Sequence, residues 1–276
     1  MKILPLVLKN LLRKKTRSAL TIASIVLPLF VICILGTLLR GLETDPSGGK
    51  GMYRLIVRHK VSITNWIPGA YDPKIRNVPG VTEAVRMQWF GGAYIDQSAK
   101  NQFQRFSVTD VDRLLRVYDE ATIVEGSEAD WVGDRTGLLV GRQLMRKYGW
   151  RLGQKVTFKG DIYPVTLELT IRAVFEAPDE SGVYFHHKGI EEAVPYAKGQ
   201  VGWYWLKTAS VADTERVPRL IDAMFENSPE PTRTETEKQF QAMWVSMIGN
   251  VKAVVVGIST AIALVILLIA ANTMAM

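Results

Sequence analysis

Few side chains in this 276-residue chain are of types that do chemistry: three histidines and one cysteine. Two of the histidines, His186 and His187, adjoin Asp179, Glu180, Glu191 and Glu192, a donor set of the kind that holds a divalent cation. Adjacent histidines on a loop usually point apart, and a solvated loop accounts for the same residues. The expectation is therefore that no metal is bound. Acids such as Asp110 and Glu168 have no discernible paired partner for acid–base work. The sequence contains no Walker A phosphate loop, no H-E-x-x-H zinc motif and no G-x-S-x-G nucleophile turn. Gly48-Gly49-Lys50-Gly51 lacks the phosphate-loop spacing and follows no strand, so it reads as linker. Cys33 lies in an apolar run and has no second cysteine to pair with, which leaves it a packing or lipid-facing role. The reading is a protein that is not an enzyme, with no catalytic, cofactor-binding or metal residues and no cofactor.

The informative stretch is instead Ala19 to Leu39, which carries no charge and follows Arg13, Lys14, Lys15 and Arg17. Twenty-one residues span roughly 30 Å as a helix, the thickness of a bilayer core. Short Lys/Arg-rich flanks stay cytoplasmic, so residues 1–18 are placed inside and the chain after Leu39 outside. A second apolar run, 251–276, returns the chain to the cytoplasm, leaving residues 40–250 as one extracytoplasmic domain. The first span has no small-residue cleavage site after it and reads as an uncleaved anchor. The net charge of +7 fits this topology: residues 1–18 hold six of the 34 basic residues and no acid, so the remainder has 28 basic against 27 acidic. Basicity confined to a membrane flank excludes nucleic acid as a partner. Within 1–18, Leu4, Val7, Leu8, Leu11 and Leu12 recur at helical spacing. They describe either an amphipathic helix on the bilayer surface or a plain basic flank, with Arg13, Lys14, Lys15 and Arg17 as contacts for lipid headgroups or a cytoplasmic ATPase.

Between the spans the pattern is α+β. Tyr53–Val61 alternates apolar residues and arginines like a half-buried strand. Val81–Ile95 reads as two strands about a Gly91-Gly92 bend, and Phe103–Val108 as another, with Thr109-Asp110 capping a short helix 111–118 that buries Val111, Leu114, Leu115 and Tyr118. A β-rich insertion of about 123–196 carries strand 138–140, helix 142–148 with Gly149 as left-handed cap, strand 155–158, a Gly160-Asp161 hairpin and strand 165–175. Strand 202–206, helix 215–227 and strand 231–236 then complete a split βαβ subdomain around that insertion. From Glu237 a helix presents Phe240, Met243, Trp244, Met247, Ile248 and Val251 as one stripe. It either runs unbroken into the second span as a coupling helix or ends as an interfacial helix with Trp244 in the aromatic belt.

Several segments together resemble the MacB/FtsX-type permeases of bacterial ABC transporters, with a MacB-like periplasmic core. They are Asn10-Leu11-Leu12-Arg13 with Arg17-Ser18-Ala19-Leu20-Thr21, Val78-Pro79-Gly80-Val81, Gly137 to Gly141, Tyr148 to Val156, and Ala270-Ala271-Asn272-Thr273-Met274. The resemblance implies a permease of the bacterial inner membrane, paired as a homodimer or heterodimer. It would work with a separate cytoplasmic ATP-binding subunit and, in some members, a periplasmic adaptor. Its transport would be mechanical, with ATP-driven closure of the ATPase moving the outer domain for export or extraction of a substrate. Such permeases continue beyond a second span, so a chain ending at Met276 reads as the N-terminal part of one or as a truncated gene. Two other classes fit the topology: a two-span receptor with an extracytoplasmic sensing domain, and a membrane-anchored enzyme.

Overall fold

The computed structural model describes residues 50–96, 98 and 101–247, of which 244–247 as helical backbone only, and helical positions 26, 29–31, 33, 34, 36, 37, 257, 258 and 260–262. The chain divides into two compact units, residues 1–44 with 241–276, and residues 45–240. In the first unit Val26, Leu29, Phe30, Val31, Ile34 and Ile258 are helical, apolar and exposed. Thr37 Oγ1 donates to Cys33 O at 2.9 Å, the one-turn-back bond that satisfies a hydroxyl on an apolar helix. Among the described residues no helix is long and apolar enough to cross a membrane. The segment 1–18, with Arg13, Lys14, Lys15 and Arg17, and most of the expected spans 19–39 and 251–276 lie outside the described residues.

The second unit is α+β. Its strands are β1 (Arg54–His59), β2 (Ile67–Pro68), β3 (Val81–Trp89), β4 (Gly92–Ala93), β5 (Gln104–Val108), β6 (Thr122–Gly126), β7 (Gly137–Gly141), β8 (Lys155–Gly160), β9 (Thr166–Glu176), β10 (Gly182–His186), β11 (Gln200–Val201), β12 (Trp203–Thr208) and β13 (Thr232–Thr236). Its helices are α1 (Asp72–Arg76), α2 (Leu114–Val117), α3 (Glu128–Gly133), α4 (Arg142–Tyr148), α5 (Lys188–Ala193), α6 (Asp213–Phe225) and the start of α7 (Glu237–Met247). Eleven strands form one sheet in the order β13-β1-β12-β3-β5-β10-β7-β9-β8-β4, with β6 also on β9, while β2 and β11 pair separately. β12 and β13 both lie antiparallel to β1, one on each side, and α6 connects them. This is the split βαβ arrangement expected from sequence. The strands of the β-rich insertion continue the same sheet through a parallel pairing of β10 with β5.

Side-chain alternation explains where the cores sit. Leu55 and Val57 of β1 join Tyr204 and Leu206 of β12 beneath Val217, Ile221 and Phe225 of α6, an apolar stripe at helical spacing. Leu138, Val140, Val183 and Phe185 of β7 and β10 pack with Leu144 and Met145 of α4 in a second cluster. β7 and β10 read as continuous apolar runs because both faces are covered. Helix α4 ends at Gly149, whose φ of 64° is the left-handed cap that a residue with a Cβ adopts only at a cost.

Four expectations need correction. β1 is buried along its whole length, arginines included, because β13 and β12 flank it and carboxylates neutralise it. The Asp110 side chain makes no cap bond to its helix; it accepts instead from Arg86 N and Nε at 2.9 Å and Nη2 at 2.8 Å. In that helical segment Val117, not Leu115, completes the buried face. His186 ends β10 and His187 follows it directly, so they are not a solvated loop. The periodicity also gave no hint of β6, α3, β10 or α5.

Candidate functional site

The residues that distinguish the second unit gather where the chain enters and leaves it. β1 and β13 pair antiparallel with Leu55 opposite Thr236, so the first and last strands have their outer ends side by side. Alternation puts Leu55 and Val57 on the face covered by α6 and leaves Arg54, Ile56 and Arg58 on the other. Arg54 is 1% exposed. Its Nε donates to Glu237 Oε2 at 2.6 Å, its Nη2 to Glu120 Oε1 at 2.6 Å, and its Nη1 to Glu120 Oε2. The guanidinium lies 5.2 Å from the Trp205 ring centre and 5.7 Å from that of Tyr118. Burial alone would lower the Arg54 pKa; the hydrogen bonds and charges of Glu120 and Glu237 outweigh it and hold the pKa above the ordinary arginine value. Burial also pushes the Tyr118 phenol up, and its hydroxyl donates to Asp179 O at 2.8 Å.

Glu237 is the first residue of α7. Its helix starts without a loop, because Thr236 Oγ1 accepts from Gln239 N at 3.2 Å and Gln239 Oε1 accepts from Thr236 N at 2.9 Å. This reciprocal pair is a capping box, which satisfies two otherwise unpaired amides at a helix start. Phe240, 8% exposed, packs its ring 6.0 Å from that of Trp203 on β12. The first turn of α7 is thus held by an ion pair to β1, a cap on the end of β13 and a ring contact to β12. What such a constellation supplies is stiffness. A buried bidentate arginine resists displacement because pulling away either carboxylate strands a charge out of water.

Of the stripe expected from sequence, Phe240 is in this constellation, Trp244 and Met247 lie on α7, and Val251 lies outside the described residues, as do Arg13, Lys14, Lys15 and Arg17. Arg54, Glu120 and Glu237 were missed. The signals available were arginines inside an apolar strand and Thr236-Glu237-Lys238-Gln239 as a capping sequence. The histidines are not brought together. His186 Nε2 lies 2.9 Å from Trp131 O, and His187, 2% exposed, places Nδ1 2.9 Å from Ser107 Oγ. Burial lowers the His187 pKa. Among the described residues no three His, Cys, Asp or Glu side chains are grouped to hold a metal ion.

A mixed sheet with a split βαβ core, entered and left at one end, defines an α+β domain carried between two flanking segments of one chain. The chain belongs to the family of the MacB-like periplasmic core domain, whose model matches residues 18–224. Two solved structures are similar to it. The extracellular domain of the noncanonic ABC-type transporter YknZ from Gram-positive bacteria is 11% identical, with a TM-score of 0.49, over 66% of this chain and 98% of that one. The periplasmic region of MacB from Actinobacillus actinomycetemcomitans is 9% identical, with a TM-score of 0.49, over 72% and 94%. No curated protein matches the chain.

Proposed function

We propose that this chain is the permease subunit, or the N-terminal part of one, of an ABC-type transporter of the bacterial inner membrane. A separate cytoplasmic ATP-binding subunit hydrolyses ATP, and α7 carries the resulting displacement to the periplasmic domain for export or extraction of a substrate. The observation that carries this reading is the joint at the domain's end: in a MacB-like periplasmic core, Arg54 ties the entering strand to the departing helix. A helix meant only to tether the domain has no need of a buried ion pair and a capping box at its root. Arg13, Lys14, Lys15 and Arg17 are assigned to headgroups or the ATP-binding subunit, and Phe240, Trp244, Met247 and Val251 to the coupling helix. A second permease copy and, in an efflux assembly, a periplasmic adaptor complete the partners.

Reporter fusions at Gly49 and Gly160 test the topology on which the reading depends. Both are expected to be active only with a reporter that works after export; activity of a cytoplasmic reporter at either site would reverse the orientation. The runner-up, a two-span receptor, predicts the same topology but no ATP-dependent movement of the domain.

A further inference from the structure

Strand β4 ends the sheet, with Gly92 and Ala93 paired to Gly160 and Lys159 of β8. The next residue, Tyr94, sends its ring into a box of four others. The ring centres of Tyr148 and Trp150 lie 5.0 Å from it and those of Phe103 and Phe158 6.2 Å, with interplanar angles between 61° and 86°, the edge-to-face arrangement that aromatic rings prefer. Trp150 Nε1 donates to the Tyr94 hydroxyl at 2.9 Å. Much of the box is set by other elements. Gly149 forms the left-handed cap of α4, Trp150 N donates to Met145 O at 3.1 Å, and Phe158 is fully buried on β8. Arg105, 2% exposed, donates through Nη1 to Phe103 O at 2.6 Å and through Nη2 to Gly92 O, and so pins the backbone on both sides of Tyr94. Its guanidinium lies 4.4 Å from the Phe103 ring centre.

The backbone that delivers this ring is strained. Ile95 has a φ of 66°, and Asp96 N donates to Tyr94 O at 2.8 Å. A three-residue turn with positive φ at its centre is rare and strained, most of all at a β-branched residue. Ile95 is 76% exposed, so burial of its own side chain does not offset the strain. Asp96 Oδ1 accepts from Ser98 N at 2.9 Å and from Asn101 Nδ2 at 2.8 Å, which holds the turn from its far side. A ring that merely filled the core would need no such turn; strain of this kind collects at ligand clamps and switches. The box also has a chemical preference. Trp150 is 5% exposed, so without a hydroxyl beside it a buried N–H loses its acceptor, which selects tyrosine over phenylalanine.

We propose that the box of Phe103, Tyr148, Trp150 and Phe158 is a recognition site for a tyrosine side chain of a peptide, and that Tyr94 is its internal stand-in in the free domain. The ligand class is read from the present occupant, a phenol on a polypeptide backbone, held through its hydroxyl. The test titrates the full chain in detergent with N-acetyl-L-tyrosinamide and follows the amide resonance of Gly149, between two of the box residues. No ATP-binding subunit is present, so the result stands apart from the transport reading. The wild type should bind saturably, and Tyr94→Ala roughly tenfold more tightly, because the internal competitor is gone. Should Tyr94→Ala lose its circular dichroism, Tyr94→Phe, which keeps the ring but not the hydroxyl, should bind roughly fivefold more tightly than wild type. Ile95→Gly should bind roughly fivefold more weakly than wild type, since relief of the turn favours the occupied form with which the ligand competes. N-acetyl-L-phenylalaninamide should bind the Tyr94 variant at least roughly tenfold more weakly than the tyrosine amide, and adding Trp150→Phe should erase that preference. Absence of saturable binding to the wild type, even with binding to Tyr94→Ala, would show that the ring is core alone and overturn the proposal. So would unchanged or tighter binding in Ile95→Gly, or equal binding of the two amides to the Tyr94 variant.

Discussion

Arg54 and Glu237 stand 183 positions apart in the chain and share a hydrogen bond of 2.6 Å between Nε and Oε2. One opens the first strand of the sheet and the other opens the helix that leaves it. The bond makes the entry and exit of the domain a single mechanical point, and it can be tested as such.

Replacing Arg54 by Met removes the only cation bonded to Glu120 among the described ion pairs and leaves two carboxylates in a buried site. Breaking a buried pair from one side costs about 3–5 kcal/mol. Arg54→Met should lower the unfolding free energy by that order in a urea titration followed by tryptophan fluorescence. Arg54→Lys should recover part of it, since an ammonium cannot serve Glu120 bidentately and Glu237 at once. A loss below about 1 kcal/mol in Arg54→Met would mean the network contributes little.

The capping box predicts a more local effect. Thr236→Val deletes the hydroxyl that accepts from Gln239 N while keeping the shape of the side chain, at a cost of about 1 kcal/mol. Amide exchange at residues 237–240 should quicken roughly fivefold, while exchange in β7 and β10 stays as it was. Equal exchange in both proteins would show that α7 is held by its other contacts alone.

Acid should destabilise the domain in two stages. His187 has its pKa lowered, first by burial, so the unfolded state takes up its proton first and stability falls as pH drops below about 6.5. For Asp110, burial would raise the pKa, but the hydrogen bonds and charge of Arg86 outweigh it and hold it below the usual carboxylate value. Its contribution is present above the unfolded value of about 3.9 and is lost as pH falls through the lower folded value. Unfolding titrations from pH 8 to pH 3 should show both stages, with His187→Gln removing the first and Asp110→Asn the second. A profile that His187→Gln leaves unchanged between pH 7 and pH 5 would refute the first assignment.

Much of the fold was legible because it rests on local rules. Helix α4 with Gly149, the break between β3 and β4 at Gly91-Gly92 and the succession β12, α6, β13 each follow from periodicity and turn chemistry within about thirty residues. What escaped was set by pairing at long range. Gly182–His186 is a strand with β5 and β7 on either side of it; its Val183-Tyr184-Phe185 run suits a strand, but it is short and has no alternation, so periodicity did not single it out. Asp110 had the right position for a helix cap, but Arg86, 24 residues away, competes for the carboxylate with a charge-assisted bidentate bond. Arg54 looked like the solvent-facing half of a strand for the same reason: its partners Glu120 and Glu237 are 66 and 183 positions distant.

The claim that α7 conveys ATP-driven displacement to the domain is tested most directly by thiol labelling of Lys238→Cys, an exposed position in its first turn. Cys33 is replaced by Ser, so the probe is unique, and the chain is reconstituted with its ATP-binding subunit. The labelling rate by a membrane-impermeant reagent is expected to change on adding ATP in this background and with Gly249→Ala. Residue 249 lies outside the described residues; in the continuous helix proposed, a proline there would remove a hydrogen bond and clash one turn back, at about 3 kcal/mol or more, so Gly249→Pro should abolish the ATP-dependent change while leaving ATP binding intact. A Gly249→Pro chain whose labelling still responds to ATP as the Lys238→Cys background does would contradict transmission through a continuous helix.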